Sequence, residues 1–180
     1  KKYKRFVITS AVVGKKVSKQ FLGAIKNYCN RNDALCLVLP CQDVKNTKSG
    51  FKYELDNELR NFHIVHKDLF LNDNIFISNI KVSAKQILPT TGLHQFTTDA
   101  SCIIASPKQD MLPVPNQHKK TPHVLMCTGA ITQSNYDNDL YMSDRLNRIA
   151  EYDHVNGAII VELENDKIFH FRQVQAGPIG

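Results

Sequence analysis

The sequence predicts an α/β fold: a mixed sheet opened by a βαβ unit in a Rossmann-like, three-layer arrangement and closed by a C-terminal β-hairpin. Three observations carry that expectation. The first 40 residues alternate strand, helix and strand patterns. The run Val124-Leu125-Met126-Cys127 is apolar without a break and bounded by turn signals. Two strand-like runs flank Glu164–Lys167 near the C-terminus.

Bulk properties set the frame. With 180 residues, 42% hydrophobic and 22% charged, the chain can bury a substantial core as one domain. Residues 1–176 are expected to form that single α/β domain. Residues 177–180 are expected to be its edge, or the start of a linker to a following domain. No apolar run approaches the roughly 18–20 residues a membrane helix needs. The N-terminal KKYKRFVITSAVVGKK reads as a strand rather than a signal peptide, because Thr9 and Ser10 interrupt its apolar part. Five cysteines without a CxxC pair read as reduced thiols of an intracellular protein.

Phe6–Ala11 is β-branched and apolar, a strand that Gly14 ends. From Lys16 to Arg31, Val17, Phe21, Ala24, Ile25, Tyr28 and Cys29 recur at helical spacing. Asn32-Asp33 closes that helix, and Ala34–Pro40 is a second buried strand. The two strands are expected to be parallel, with a right-handed crossover. The intervening loop VVGKKVS has one glycine, so it is neither a P-loop nor a dinucleotide fingerprint.

Asp43–Phe51 reads as a polar loop, Tyr53–Phe62 as a short helix, and Phe70–Ile80 as a strand. His63 and His66 are three apart, facing opposite ways on a strand, a poor start for a metal site. Lys85–Phe96 and Pro107–Pro115 read as loops around a short buried strand, Ser101–Ala105.

Thr121–Tyr136 (TPHVLMCTGAITQSNY) draws the most attention. Its apolar half suits a strand buried on both faces. The loop that leaves such a strand is where ligands bind in open α/β sheets. His123, Thr128, Gly129 and Tyr136 are therefore candidate site residues, with the alternative that Thr-Gly is only a tight turn. Asp137–Ala150 has helical spacing, with Asp139 and Asp144 placed to pair with Arg145 and Arg148. Ala158–Leu163 and Ile168–Val174 form the expected hairpin. There Glu162 faces candidate partners His170 and Arg172.

Charge is unevenly spread. Residues 1–31 carry nine bases and no acid, while the remainder has 14 bases against 17 acids. Lys15, Lys16, Lys19, Lys26 and Arg31, with Lys119 and Lys120 before the apolar run, are the expected nucleic-acid contacts. The competing reading is a solvated lysine-rich surface. No HExxH, GxSxG or PD…(D/E)xK pattern is present, so no catalytic residue and no metal ligand is assigned.

Four pieces in order, TGLHQF (Thr91–Phe96), SPKQDM (Ser106–Met111), TPHVLMCTGAITQSNY and AEYDHVNGAIIVELENDKIFHFRQVQA (Ala150–Ala176), resemble the N-terminal half of tailed-phage DNA-transfer proteins, the T-five-like early protein and its relatives. The resemblance implies a larger parent acting in the host cytoplasm. In it a calcineurin-like metallophosphoesterase domain follows, with a GD-x-H motif and manganese-dependent nuclease activity. None of that motif lies in this chain, so no cofactor is expected here and manganese belongs to the parent. His154, Thr128, Gly129 and Tyr136 match the family pattern without an implied role. The expected function is an accessory domain that binds DNA or organises the assembly as the phage genome enters the host. One alternative is a phosphodiesterase within this domain, with His123, His154 and His170 or Glu162 near a metal. Another is a structural module for self-association or docking of other phage proteins.

Overall fold

A computed structural model describes residues 3–42, 54–115, 122–136 and 144–177. In chain order the elements are β1 (Arg5–Val12), α1 (Lys19–Asn32), β2 (Leu35–Cys41), β3 (His63–Ile64), β4 (Leu69–Asn72), β5 (Ile75–Ile77), β6 (Ser101–Ile104), β7 (Met111–Val114), β8 (His123–Cys127), α2 (Asp144–Tyr152), β9 (Gly157–Leu163) and β10 (Phe169–Gln175). Two five-stranded mixed sheets result, ordered β10-β9-β1-β2-β3 and β4-β5-β6-β8-β7.

Alternation along the strands decides how these sheets pack. Phe6, Ile8 and Val12 of β1, Leu37 and Leu39 of β2, and Ile159 and Val161 of β9 point inward. There they meet Ile75, Ile77, Ile103 and Met126 of the second sheet in one core. The opposite face of the first sheet, with Val7, Ala11, Cys36, Val38 and Ile160, packs on Phe21, Leu22 and Ile25 of α1. The outer face of the second, with Phe76, Cys102, Ile104, Leu125 and Cys127, is covered by Ile80, Val82, Leu93 and Ala100 from connecting segments. Central strands are thus buried on both faces, which is why they read as unbroken apolar runs.

The α/β class and the mixed sheet stand, but the Rossmann-like three-layer arrangement does not describe this chain. Two sheets lie face to face, and only two helices occur among the described residues. The reason is physical. A strand apolar on both faces needs cover on both, and its sequence does not say whether a helix or a second sheet provides it. β1 and β2 pair in parallel with α1 between them, and β9 pairs antiparallel with both β1 and β10.

Local departures have local causes. Of the helix expected at Tyr53–Phe62, Tyr53 lies outside the described residues, and the rest holds only a 3-10 turn, Asn57–Leu59. The Asp56 carboxylate accepts N–H groups from both Glu58 and Val17, at 3.1 Å each, and this local bonding competes with helix propagation. The strand expected over Phe70–Ile80 is split into β4 and β5, an antiparallel pair with an irregular register between Phe70 and Asn72. Pro107–Pro115, expected as a loop, contains β7. Pro113 is tolerated there because β7 is an edge strand. α2 occupies the second part of the predicted Asp137–Ala150 helix; Asp139 lies outside the described residues.

Candidate functional site

Past Ile8, β1 loses β9 as its neighbour, and the segment that leaves β8 takes its place. Ser10 donates its N–H to the Gly129 carbonyl (3.1 Å) and accepts from Ile131 N–H (2.7 Å). On the other side Ala130 N–H donates to Val155 O (2.9 Å), and Gly157 N–H donates to Ala130 O (3.3 Å). Residues 129–132 therefore form a strap that begins in the second sheet and threads into the first. Gly129 makes the turn possible: its φ is +74°, and a Cβ there would lie 3.0 Å from the Gly157 backbone.

The strap delivers Thr132 and Tyr136 to the end of the fold where β1, β2, β6 and β8 finish. The Thr132 carbonyl lies 2.8 Å from Nε2 of His154, so that nitrogen carries the proton. Nδ1 is then an acceptor, and it takes the Tyr136 hydroxyl at 2.9 Å. With its amide oriented to satisfy both contacts, Asn156 donates to the carbonyls of Thr132 (2.9 Å) and Ala130 (3.2 Å). Burial holds the His154 pKa below its ordinary value, and Lys15 adds to that; the contacts with Thr132 and Asn156 oppose it.

Two ammonium groups attend the Tyr136 ring, Lys15 Nζ at 5.1 Å and Lys85 Nζ at 5.9 Å from its centroid. Lys85 is only 4% exposed and Tyr136 is fully buried. The phenol donates to a neutral imidazole, and no solvent reaches the phenol. The arrangement suits holding the strap better than meeting a substrate.

The other sequence-predicted residues go elsewhere. Thr128 donates its hydroxyl to Ser106 O (3.2 Å) inside the core. His123 Nδ1 lies 2.6 Å from Thr97 O. His170 pairs with Glu164 (3.3 Å) on the surface. Arg172 donates to the Tyr28 hydroxyl (2.9 Å) and sits 3.8 Å from Glu162, whose nearer partner is Arg5 at 3.1 Å. The Arg5 contact was not foreseen, since β1 and β9 are about 150 residues apart. Among the described residues no three His, Cys, Asp or Glu side chains are placed to hold a metal ion. Cys127 is fully buried, and burial first, then the Asp110 charge, pushes its thiol well above the ordinary range. A thiolate nucleophile is not available there.

Sequence reasoning missed Lys85 and Lys108, both nearly buried. Lys108 Nζ reaches Asp153 (3.3 Å) and the Ile87 carbonyl (3.5 Å). It also missed Gln109, whose Nε2 donates to the carbonyls of Thr128, Ala158 and Val174 at 3.0–3.3 Å. Isolated lysines and a glutamine in loop sequence carry no local signal of burial.

The basic residues divide as well. Lys16, Lys19, Lys26 and Arg31 are exposed, whereas Lys15 is half-buried against Tyr136. No acid occurs within α1. Lys19 and Lys26, seven apart, share one stripe of the helix about 10 Å long. Lys15 and Lys16 also border a cleft of about 480 Å³ that contains Glu54, Asp56 and Arg60. The Asp56 carboxyl is held below its ordinary pKa, chiefly by the N–H groups of Glu58 and Val17 and then by Lys16 and Lys19. Lys119 and Lys120 lie outside the described residues.

Comparison with protein-family models, with curated proteins and with solved structures found no match for this chain.

Proposed function

We propose that this domain binds nucleic acid along α1, as the accessory N-terminal part of a phage DNA-transfer or nuclease protein acting in the host cytoplasm. One observation supports it above others. The exposed side of α1 carries Lys19, Lys26 and Arg31 with no acid in the helix, and Lys16 extends that surface from the preceding loop. A helix face of this kind attracts phosphates by releasing their condensed counterions, with no need for base contacts. Manganese-dependent phosphodiesterase chemistry is reserved, in this reading, for a following domain of the parent. The described residues here offer no ligand set for it.

The test is fluorescence anisotropy of a labelled duplex between roughly 50 and 200 mM salt. Affinity should fall linearly on a double-logarithmic plot, with a slope near −0.9 per phosphate neutralised. The triple variant Lys16→Glu, Lys19→Glu, Lys26→Glu, shown by circular dichroism to be folded, should lose most of both affinity and slope. Unchanged affinity and slope in that variant would overturn the reading.

A further inference from the structure

β10 ends the first sheet, and it is the least guarded edge among the described strands. β3 has two residues, β7 carries Pro113, and β4 has four residues in an irregular register. Each of those features discourages pairing with another chain. β10 runs over seven residues in unbroken register with β9 and contains no proline. Glu164 N–H donates to Ile168 O (3.0 Å) and Ala176 N–H to Asn156 O (2.7 Å), so the even-numbered residues of β10 bond to β9. The backbone groups of Phe169, Phe171, Gln173 and Gln175 therefore point away from the sheet, and no described residue bonds to them. We propose that two copies of this chain pair through β10, antiparallel about a twofold axis at Phe171, and join their first sheets into one.

The strand is complementary to itself in that register, which is why the occupant is a second copy. With Phe171 opposite the second copy's Phe171, the outward groups of Phe169 meet those of Gln173. Ile168, 45% exposed, then stands opposite Val174. Arg172 stands opposite His170, whose ring is paired with Glu164 at 3.3 Å. Sliding one strand by two residues sets Arg172 against Arg172 or His170 against His170, an unfavourable cross-strand pair either way. Ladder hydrogen bonds add little net stability in water, so apolar cover must drive the pairing. A groove of about 540 Å³ between the two sheets supplies it, with Phe169 and Phe171 on one side and Pro122 and Val124 on the other. Side chains alternate along a strand, so the second copy's Phe171 faces the same side as Phe169 and Phe171 and covers their rings.

The experiment uses the full chain without nucleic acid, so its result is independent of the duplex-binding proposal. Sedimentation velocity from low micromolar to submillimolar concentration should show a monomer–dimer equilibrium. As the dimer forms, amide exchange followed by NMR should slow at Phe169, Phe171 and Gln173, while His170, Arg172 and Val174 are protected throughout. Ile168→Lys places a charge on the exposed edge. It should weaken association about tenfold and leave Tm unchanged in dilute solution. A chain that stays monomeric, a dimer whose outward amides exchange as in the monomer, or a dimer indifferent to Ile168→Lys would overturn the proposal. A monomer whose outward amides slow only when an alternating Val-Thr peptide is added would assign the edge to a foreign strand, and would overturn it too.

Discussion

The Tyr136 hydroxyl donates to Nδ1 of His154 at 2.9 Å, while Nε2 of the same ring donates to the Thr132 carbonyl at 2.8 Å. One neutral imidazole thus ties the strap to the residues that precede β9. The Thr132 contact fixes the tautomer of the neutral ring, and protonation would turn Nδ1 from an acceptor into a donor. This makes the cluster a pH-dependent part of the fold.

The direction of that dependence follows from burial. An unfolded histidine takes up its proton near pH 6.5, and folded His154 resists it because its pKa is depressed. Below that pH the unfolded state binds more protons, so the contribution of His154 is complete above about 6.5 and is lost as pH falls toward the folded pKa. Thermal midpoints should therefore drop between pH 7.5 and 5.5. In His154→Gln, which cannot titrate, that drop should be smaller. Parallel pH profiles for the two proteins would contradict the assignment.

Tyr136→Phe tests the same bond from its other end. The ring and its packing remain, but Nδ1 of a largely buried imidazole loses its donor. A cost of about 1–3 kcal/mol is expected, and a domain of this size loses about 2–4 °C of Tm per kcal/mol.

Gly157 and Gly129 make a contrasting pair around Gln109. A Cβ on Gly157 would stand 2.6 Å from Gln109 Nε2 and 2.9 Å from Val174 O, while one on Gly129 would stand 3.0 Å from Gly157 backbone and require φ of +74°. Gly157→Ala should destabilise by about 1–3 kcal/mol, and adding Gln109→Ala should recover part of that, a coupling visible in a double-mutant cycle. Gly129→Ala should recover little with Gln109→Ala, because removing the Gln109 Cγ at 3.2 Å leaves the Gly157 backbone at 3.0 Å and the φ of +74° as obstacles. Denaturant melts of the three single and two double variants decide it.

These contacts explain what the sequence could and could not disclose. β1, α1, β2, β6, β8 and β9 were legible, since their patterns are local: period 3.6 on α1, short apolar runs elsewhere. The second sheet was not, because Ile75, Ile103 and Met126 look alike whether a helix or Ile8 and Leu37 cover them. Tyr136 and His154 were both singled out, yet their meeting depends on the strap crossing between sheets, a non-local event. Lys85 and Gln109 gave no signal at all: a polar residue in loop sequence is assumed exposed, and only the fold reveals that it is enclosed. Arg5–Glu162 was hidden for the same reason, its partners lying on strands from opposite ends of the chain.

Lys15 and Lys16 are adjacent in sequence, alike in charge and different in surroundings, so they separate the proposed binding surface from the buried cluster. Lys16 is exposed beside α1, whereas Lys15 is half-buried with its ammonium 5.1 Å from the Tyr136 ring. If α1 binds a duplex, Lys16→Gln should lower the salt slope by about 1 and weaken binding alike for all sequences. Its effect on stability should stay within about 0.5 kcal/mol. Lys15→Gln removes a cation from an aromatic face and should cost stability by about 0.5–2 kcal/mol. It also removes a charge that depresses the His154 pKa, so that pKa should rise. A matched set of anisotropy titrations, melts and histidine NMR titrations on the two variants reads all of this. The assignment fails if the two substitutions behave alike, since that would place both lysines in the same environment.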